Sequence, residues 1–199
     1  MNSPGRGGGL VARRRFLKLT LAGFAGLAVS GHAPYGQWGV YRKKHLLILT
    51  TRADPASFEL GQKVAAALLR ELPESMAQVS RAPHKARIAS LLSSHQMDLA
   101  LMRPDDAAAL REGGAPYADY GPMPLMTLLG IDDFLLVCRE DFAGLHAWLI
   151  AEALSASGAD FTVIPSKSEL PAAPDPRLPL HPGAFAYFSG RPRPAAPTP

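Results

Sequence analysis

The residues best placed to do chemistry in this 199-residue chain are two cations, Lys85 and Arg103. Each follows a short strand-like segment and opens onto a helical pattern, which sets it near the C-terminal edge of a sheet, where open α/β folds bind ligands. Arg103 could grip a carboxylate through two parallel hydrogen bonds, with Lys85 adding a point charge. The alternative is a solvated basic rim. Ser57, His84 and Asp105 have the residue types of a hydrolytic triad, but no serine lies in a Gly-x-Ser-x-Gly turn. Asp105-Asp106 and Asp132-Asp133 are adjacent pairs; neighbours along a helix or strand point in different directions, so caps and turns explain them better than a shared acid/base site. The single cysteine, Cys138, has no disulfide partner within the chain, and the six histidines show no helical ligand spacing, so no structural metal is expected. There is no Walker loop or Gly-x-Gly-x-x-Gly, and the glycine-rich GRGGG at 5–9 precedes no phosphate-binding helix. No residue set meets the requirements of catalysis, so neither an enzyme nor a cofactor is expected.

The elements that must hold Lys85 and Arg103 are legible in the hydrophobic pattern. HLLILTT from His45 is a continuous apolar run of strand length, as in strands buried on both faces. SFELGQKVAAALLREL then places Phe58, Leu60, Val64, Leu68 and Leu69 at roughly helical spacing, with Ser57 as a possible N-cap and Pro73 beyond the end. MAQVSRA is expected as a second strand, PHKARIASLLSSH as a second helix and MDLALM as a third strand. PDDAAALREGG follows as a helix with Pro104 in its first turn and Gly113 at its stop. Such alternation implies an α/β fold with a mostly parallel sheet and right-handed crossovers. MPLMTLLGI and DFLLVCRE read as two further strands. GLHAWLIAEALSAS is the last long helix, with Leu145, Trp148, Leu149, Ala153 and Leu154 on one face, and FTVI is a short strand. Residues 165–179 are loop-like in composition.

The basic charge is concentrated at the start. Arg6, Arg13, Arg14, Arg15 and Lys18 belong to a leader, residues 1–33, and without them 16 basic residues face 17 acidic ones. The remainder is near neutral, which argues against nucleic acid as a partner. An apolar stretch from Leu19 to Val29 follows the basic segment, then small residues, the pattern of an export signal. Arg13, Arg14, Phe16, Leu17 and Lys18 resemble the twin-arginine signal, with Ala12 where Ser or Thr is common. Periplasmic export is therefore expected, with cleavage near Ala33 or Ser30, or anchoring if the leader is not cut. Residues 34–44 are a linker and 191–199 a disordered tail.

Taken in order, LLILTT…SFELGQKVAAALL, HQMDLALM, FLLVCRED and the late phrase PLHPGAFAYF resemble the TAXI family of TRAP-transporter solute-binding proteins. The resemblance covers about 45–157 and 178–190, and its most specific parts are the His-Pro-Gly-Ala phrase and the strand after Asp98. It implies a periplasmic-binding-protein-like lobe, spanning 45–190, built as a three-layer sandwich, with PLHPGAFAYF as a final helix. In the family a second lobe separates the exit strand from the late helix; here Asp141 and Leu145 are four residues apart, so that lobe is missing.

The resemblance also implies a ligand face. It falls on Thr51, Arg52, Ser57, Phe58, Lys85, Arg103 and Asp105, with Thr51 and Pro55 where the family carries glycines and Ser57-Phe58 in place of its aromatic pair. The implied function is a truncated receptor for a small organic anion, serving a TRAP-type membrane permease. The alternative is a single-lobe periplasmic accessory module whose partner is another protein.

Overall fold

The computed structural model describes residues 45–158 and 160–195. The expected leader with its twin-arginine-like segment, the expected linker and the last four residues lie outside the described residues. No helix among the described residues is long and apolar enough to cross a membrane.

Strand β1 (Leu47–Thr51) shows why two cores form. Successive side chains on a strand point to opposite faces, so Ile48 and Leu49, both fully buried, enter different cores. The same split runs through β3 (Leu99–Met102), where Leu99 and Leu101 face one side and Ala100 and Met102 the other. It recurs in β5 (Phe134–Arg139), with Leu136 and Cys138 opposed to Leu135 and Val137. Helix α1 (Pro55–Glu71) covers the first face together with α4 (Gly144–Ala156) and α5 (Pro182–Phe188). Helices α2 (Lys85–Ser93) and α3 (Pro104–Glu112) cover the second. The result is a three-layer α/β sandwich. Cys138 sits inside it at zero exposure, and burial pushes its thiol pKa up, away from the reactive range.

With β2 (Gln78–Ala82), β4 (Leu125–Ile131) and β6 (Val163–Ile164) the sheet has six strands in the order β2-β1-β3-β5-β4-β6. β1 pairs in parallel with β2 and β3, whereas β5 and β6 run against the other four strands. The sheet is thus mostly but not wholly parallel. The exception has a local cause: β4 and β5 are joined only by Asp132 and Asp133, too short for a crossover, so they form an antiparallel hairpin. Asp132 takes the left-handed φ of 49°, and its carboxylate accepts from the Thr162 N–H at 2.9 Å, tying β6 to the turn. Both members of that acidic pair serve a turn, as their adjacency suggests.

Two local expectations need correction. Helix α1 begins at Pro55 with Asp54 at the N-cap, so Ser57 lies inside the first turn. Proline suits the first helical position because its missing N–H would have no partner there. On α4 the buried residues are Ala147, Ile150, Ala151, Ala153 and Leu154, while Leu145, Trp148 and Leu149 are only half-buried. A helix apolar nearly all round does not declare its inner face, and α5 takes up the flank carrying Trp148, whose ring meets Tyr187 edge-on at 5.4 Å.

The phrase PLHPGAFAYF accounts for how α5 is held. Thr127 donates its N–H to the Pro179 carbonyl and accepts the His181 N–H, both at 2.8 Å, so 179–181 pairs with β4 like a fragment of strand. His181, 2% exposed, caps α5: Nδ1 accepts from the Gly183 N–H at 3.1 Å and Nε2 lies 2.9 Å from the Phe142 carbonyl. Both contacts require the neutral ring with its proton on Nε2. Burial lowers the His181 pKa below the ordinary 6.5, the backbone bond opposing only in part. The unfolded chain therefore binds this proton more readily than the folded one. Stability should fall as pH drops through about 6.5 towards the lowered value, at up to roughly 1.4 kcal/mol per pH unit. Urea unfolding between pH 7.5 and 5 should show this slope in the wild type. In His181→Asn, less stable at pH 7.5, the slope should be flatter; equal slopes would show that His181 does not carry it. Asp141 and Asp175, held low by hydrogen bonds from Arg139 and Arg177, lose their contribution only as pH falls below the ordinary carboxylate range, in a separate window.

Candidate binding cleft

The three strands β1, β2 and β3 run in parallel, and each ends where a helix begins: Thr51 before Pro55, Ala82 before Lys85, Met102 before Pro104. Three helix N-termini therefore gather at one sheet edge, each with unpaired N–H groups and the positive end of its dipole. A cleft opens there, with Thr51, Ser57, Lys85 and Arg103 in its wall together with Asp54, Asp106 and Tyr117. Its floor is apolar, from Ile88, Leu101, Met102 and Phe134.

Its polar groups are largely engaged with one another. Thr51 Oγ1 accepts from the Ala53 N–H at 3.1 Å, and the buried Ser57 hydroxyl donates to the Asp54 carbonyl at 2.7 Å. These bonds fix the β1–α1 turn in the place where the family resemblance expects glycines. Arg103 donates from Nε to Asp54 Oδ2 at 2.9 Å, and its guanidinium lies 4.1 Å from the centre of the Phe134 ring. A further nitrogen stands 3.8 Å from Asp133. Lys85 donates to Asp106 Oδ1 at 2.7 Å. Both cleft cations thus already have carboxylate partners. The space left for the centres of water molecules is about 10 Å³, room for roughly one water.

The remaining expected site residues lie apart from this wall. Asp105 projects outward, its side chain 92% exposed, and receives Arg177 at 2.9 Å. Arg177 also grips Asp175 at 2.7 Å, which ties the proline-rich loop to the start of α3. Phe58 lies under the guanidinium of Arg81, 4.6 Å from ring centre to Cζ, and Arg52 is exposed. His84 caps α2 by accepting from the Arg87 N–H, so Ser57, His84 and Asp105 each have a separate structural task and form no triad.

Four residues escaped the sequence reading. Asp54 and Asp106 carry a usable signal, one before a helix-opening proline and the other in the first helical turn. Arg177 and Tyr117 carry none: both lie in segments whose composition says only loop. Tyr117 is fully buried, and its hydroxyl has no hydrogen-bond partner among the described residues. Burial, with a smaller contribution from the Asp106 charge, raises its pKa and keeps the phenol protonated.

A scan of the sequence against protein-family models found no match, and a search of curated proteins found none either.

Proposed function

We propose that this chain is a solute-binding-protein-like lobe that works as an interaction module: its cleft receives a group presented by a second protein and does not enclose a free small anion. The single observation that carries the reading is the closure of both cleft cations, Lys85 by Asp106 at 2.7 Å and Arg103 by Asp54 at 2.9 Å. An incoming anion would have to displace a carboxylate already in place, and no element among the described residues forms a second lobe that would enclose most of a solute. The location at the C-terminal edge of parallel strands supports a binding role, as does the convergence of three helix N-termini. The Arg13-Arg14 and Phe16-Leu17-Lys18 pattern supports export by the twin-arginine route, and the resemblance to TAXI receptors supports a periplasmic or permease partner. No catalytic step is proposed.

Calorimetry of the chain against dicarboxylates and amino acids should show no sub-micromolar binding. Sub-micromolar affinity for any of them would restore the receptor for a small organic anion. In parallel, a permease subunit or periplasmic protein retained by the wild type should be lost with Arg103→Glu at a temperature well below that variant's own unfolding midpoint. Equal retention would remove the cleft from the interface.

A further inference from the structure

The sheet order ends at β2, which has no neighbouring strand on its outer side among the described residues. Gln78 donates its N–H to the Leu46 carbonyl, and the Ala82 carbonyl accepts from the Arg52 N–H, so residues 78, 80 and 82 turn their backbone groups towards β1. By strand alternation Val79 and Arg81 turn theirs outward. A charged side chain commonly blunts such an edge. Here the Arg81 guanidinium is drawn aside onto the Phe58 ring, 4.6 Å from its centre, and the backbone row stays open. Phe58, Gln62 and Leu69, at i, i+4 and i+11 of α1, share the flank on which Phe58 meets Arg81. Leu69 is 46% exposed, as is Met76 just before β2.

This row is complementary to itself. In an antiparallel pair centred on Ser80, each Val79 faces the partner's Arg81, and every outward N–H and C=O of both residues is used. Centring on Arg81 would set two arginines opposite one another and bring Pro83, which has no N–H, against Val79. Centring on Val79 would need the backbone of Ala77, which is 1% exposed. The helical layer fits the same arrangement. Helix α1 lies over the gap between β1 and β2, since a Cβ on Gly61 would stand 2.9 Å from the Thr50 methyl and 3.4 Å from Val79 Cγ1. With strands about 4.8 Å apart, α1 runs about one strand spacing from the two-fold axis. The two copies of α1 would then be about 10 Å apart, near the spacing of packed helices. Charge agrees as well, because Glu74 precedes β2 while Arg52 and Arg87 stand beyond its end, and an antiparallel pair brings these unlike ends together.

We propose that β2 is a self-association edge, through which two copies of this chain pair antiparallel about a two-fold axis at Ser80 to make one continuous sheet, with α1 against α1 across the seam. Met76 then comes beside the partner's exposed Pro83. The seam runs along the side of the sheet, apart from the cleft at the strand ends, and does not depend on the function proposed for that cleft.

Sedimentation of the full chain over a concentration series should show a monomer–dimer equilibrium. Arg81→Pro removes one outward N–H from each copy while leaving the ladder to β1 intact, and should weaken the dimer about thirtyfold, the loss of two neutral hydrogen bonds. Arg81→Thr keeps that N–H and should still dimerise. Register is read by cysteine crosslinking. Ser80→Cys should form a covalent dimer on mild oxidation, because directly opposed residues of a non-hydrogen-bonded pair are within disulfide reach. Gln78→Cys, opposite the partner's Ala82, should not; the native Cys138 is buried and takes no part. A chain that stays monomeric into the high micromolar range overturns the proposal, as does a dimer unaffected by Arg81→Pro or crosslinked equally well through residues 78 and 80. Should Arg81→Pro fail to fold, Gln62→Lys, on the exposed flank of α1, replaces it: a dimer undiminished by that added positive charge beside Arg81 also overturns the seam.

Discussion

A chain ended after Leu178 should unfold at a temperature about 10 °C lower than the full chain, a loss of at least about 3 kcal/mol. The removed segment contains Ala184, Tyr187 and Phe188, which are 0%, 8% and 1% exposed. Burying each aromatic ring is worth about 2–3 kcal/mol, and removing them also uncovers Trp148 and Ala147 on α4. The ordering entropy of the missing residues is recovered, which is why the net loss is smaller than the area implies. Two further ties go with α5: the Ser168 N–H loses its acceptor, the Phe188 carbonyl, at 2.9 Å, and the Tyr187 ring leaves Lys167. The proline-rich loop should therefore become more accessible to protease in the truncated chain. Thermal unfolding and limited proteolysis check both halves, and a truncated chain melting with the parent would refute the first.

The same segment shows how much could be read without coordinates. An apolar, aromatic stretch between proline-rich flanks must find a surface to cover, so the existence of a docked helix was legible from composition. Its fastening was not. That His181 caps α5 and reaches Phe142 depends on a contact between residues 39 positions apart, and no local pattern encodes such a pairing. The strands behaved likewise: runs such as LALM and FLLVC announce buried strands, but the antiparallel turn of β5 follows from the two-residue link at Asp132-Asp133, which overrides the alternation of strand and helix earlier in the chain. For the cleft, Lys85 and Arg103 were placed correctly at the sheet edge, because a residue between a parallel strand and its helix can lie nowhere else. Their pairing in the fold was hidden, since Asp54 and Asp106 read as helix-start residues first and as counter-ions only once the edges meet. Tyr117 was invisible for a related reason: a buried tyrosine and an exposed one look the same inside a loop rich in glycine and proline.

The sharpest single-residue effect should come from Gly183→Ala. Helix α5 crosses the start of α4 so closely that a Cβ on residue 183 would stand 2.1 Å from the Gly144 carbonyl oxygen, 2.8 Å from its carbon and 2.9 Å from the Ala147 Cβ. Two of these three atoms are backbone, so no rotamer change relieves the contact and the helices must separate. Separation would strain the His181 bond to Phe142, adding a weakened hydrogen bond to overpacking. Overpacking alone costs about 1–3 kcal/mol, occasionally more, so a total of about 3 kcal/mol or above is expected in urea unfolding. Gly144→Ala provides the matched control. A Cβ at 144 meets nothing within 4 Å, and its backbone is not in the left-handed region, so that variant should stay within about 0.5 kcal/mol of the wild type or gain slightly from helix propensity. The two glycines thus face one another across the same crossing with opposite tolerance. Comparable losses in both variants would mean that backbone freedom, and not close approach, explains the glycine in His-Pro-Gly-Ala. A large loss confined to residue 183 would make the phrase a structural clasp, with Pro182 starting the helix, His181 capping it and Gly183 letting it approach.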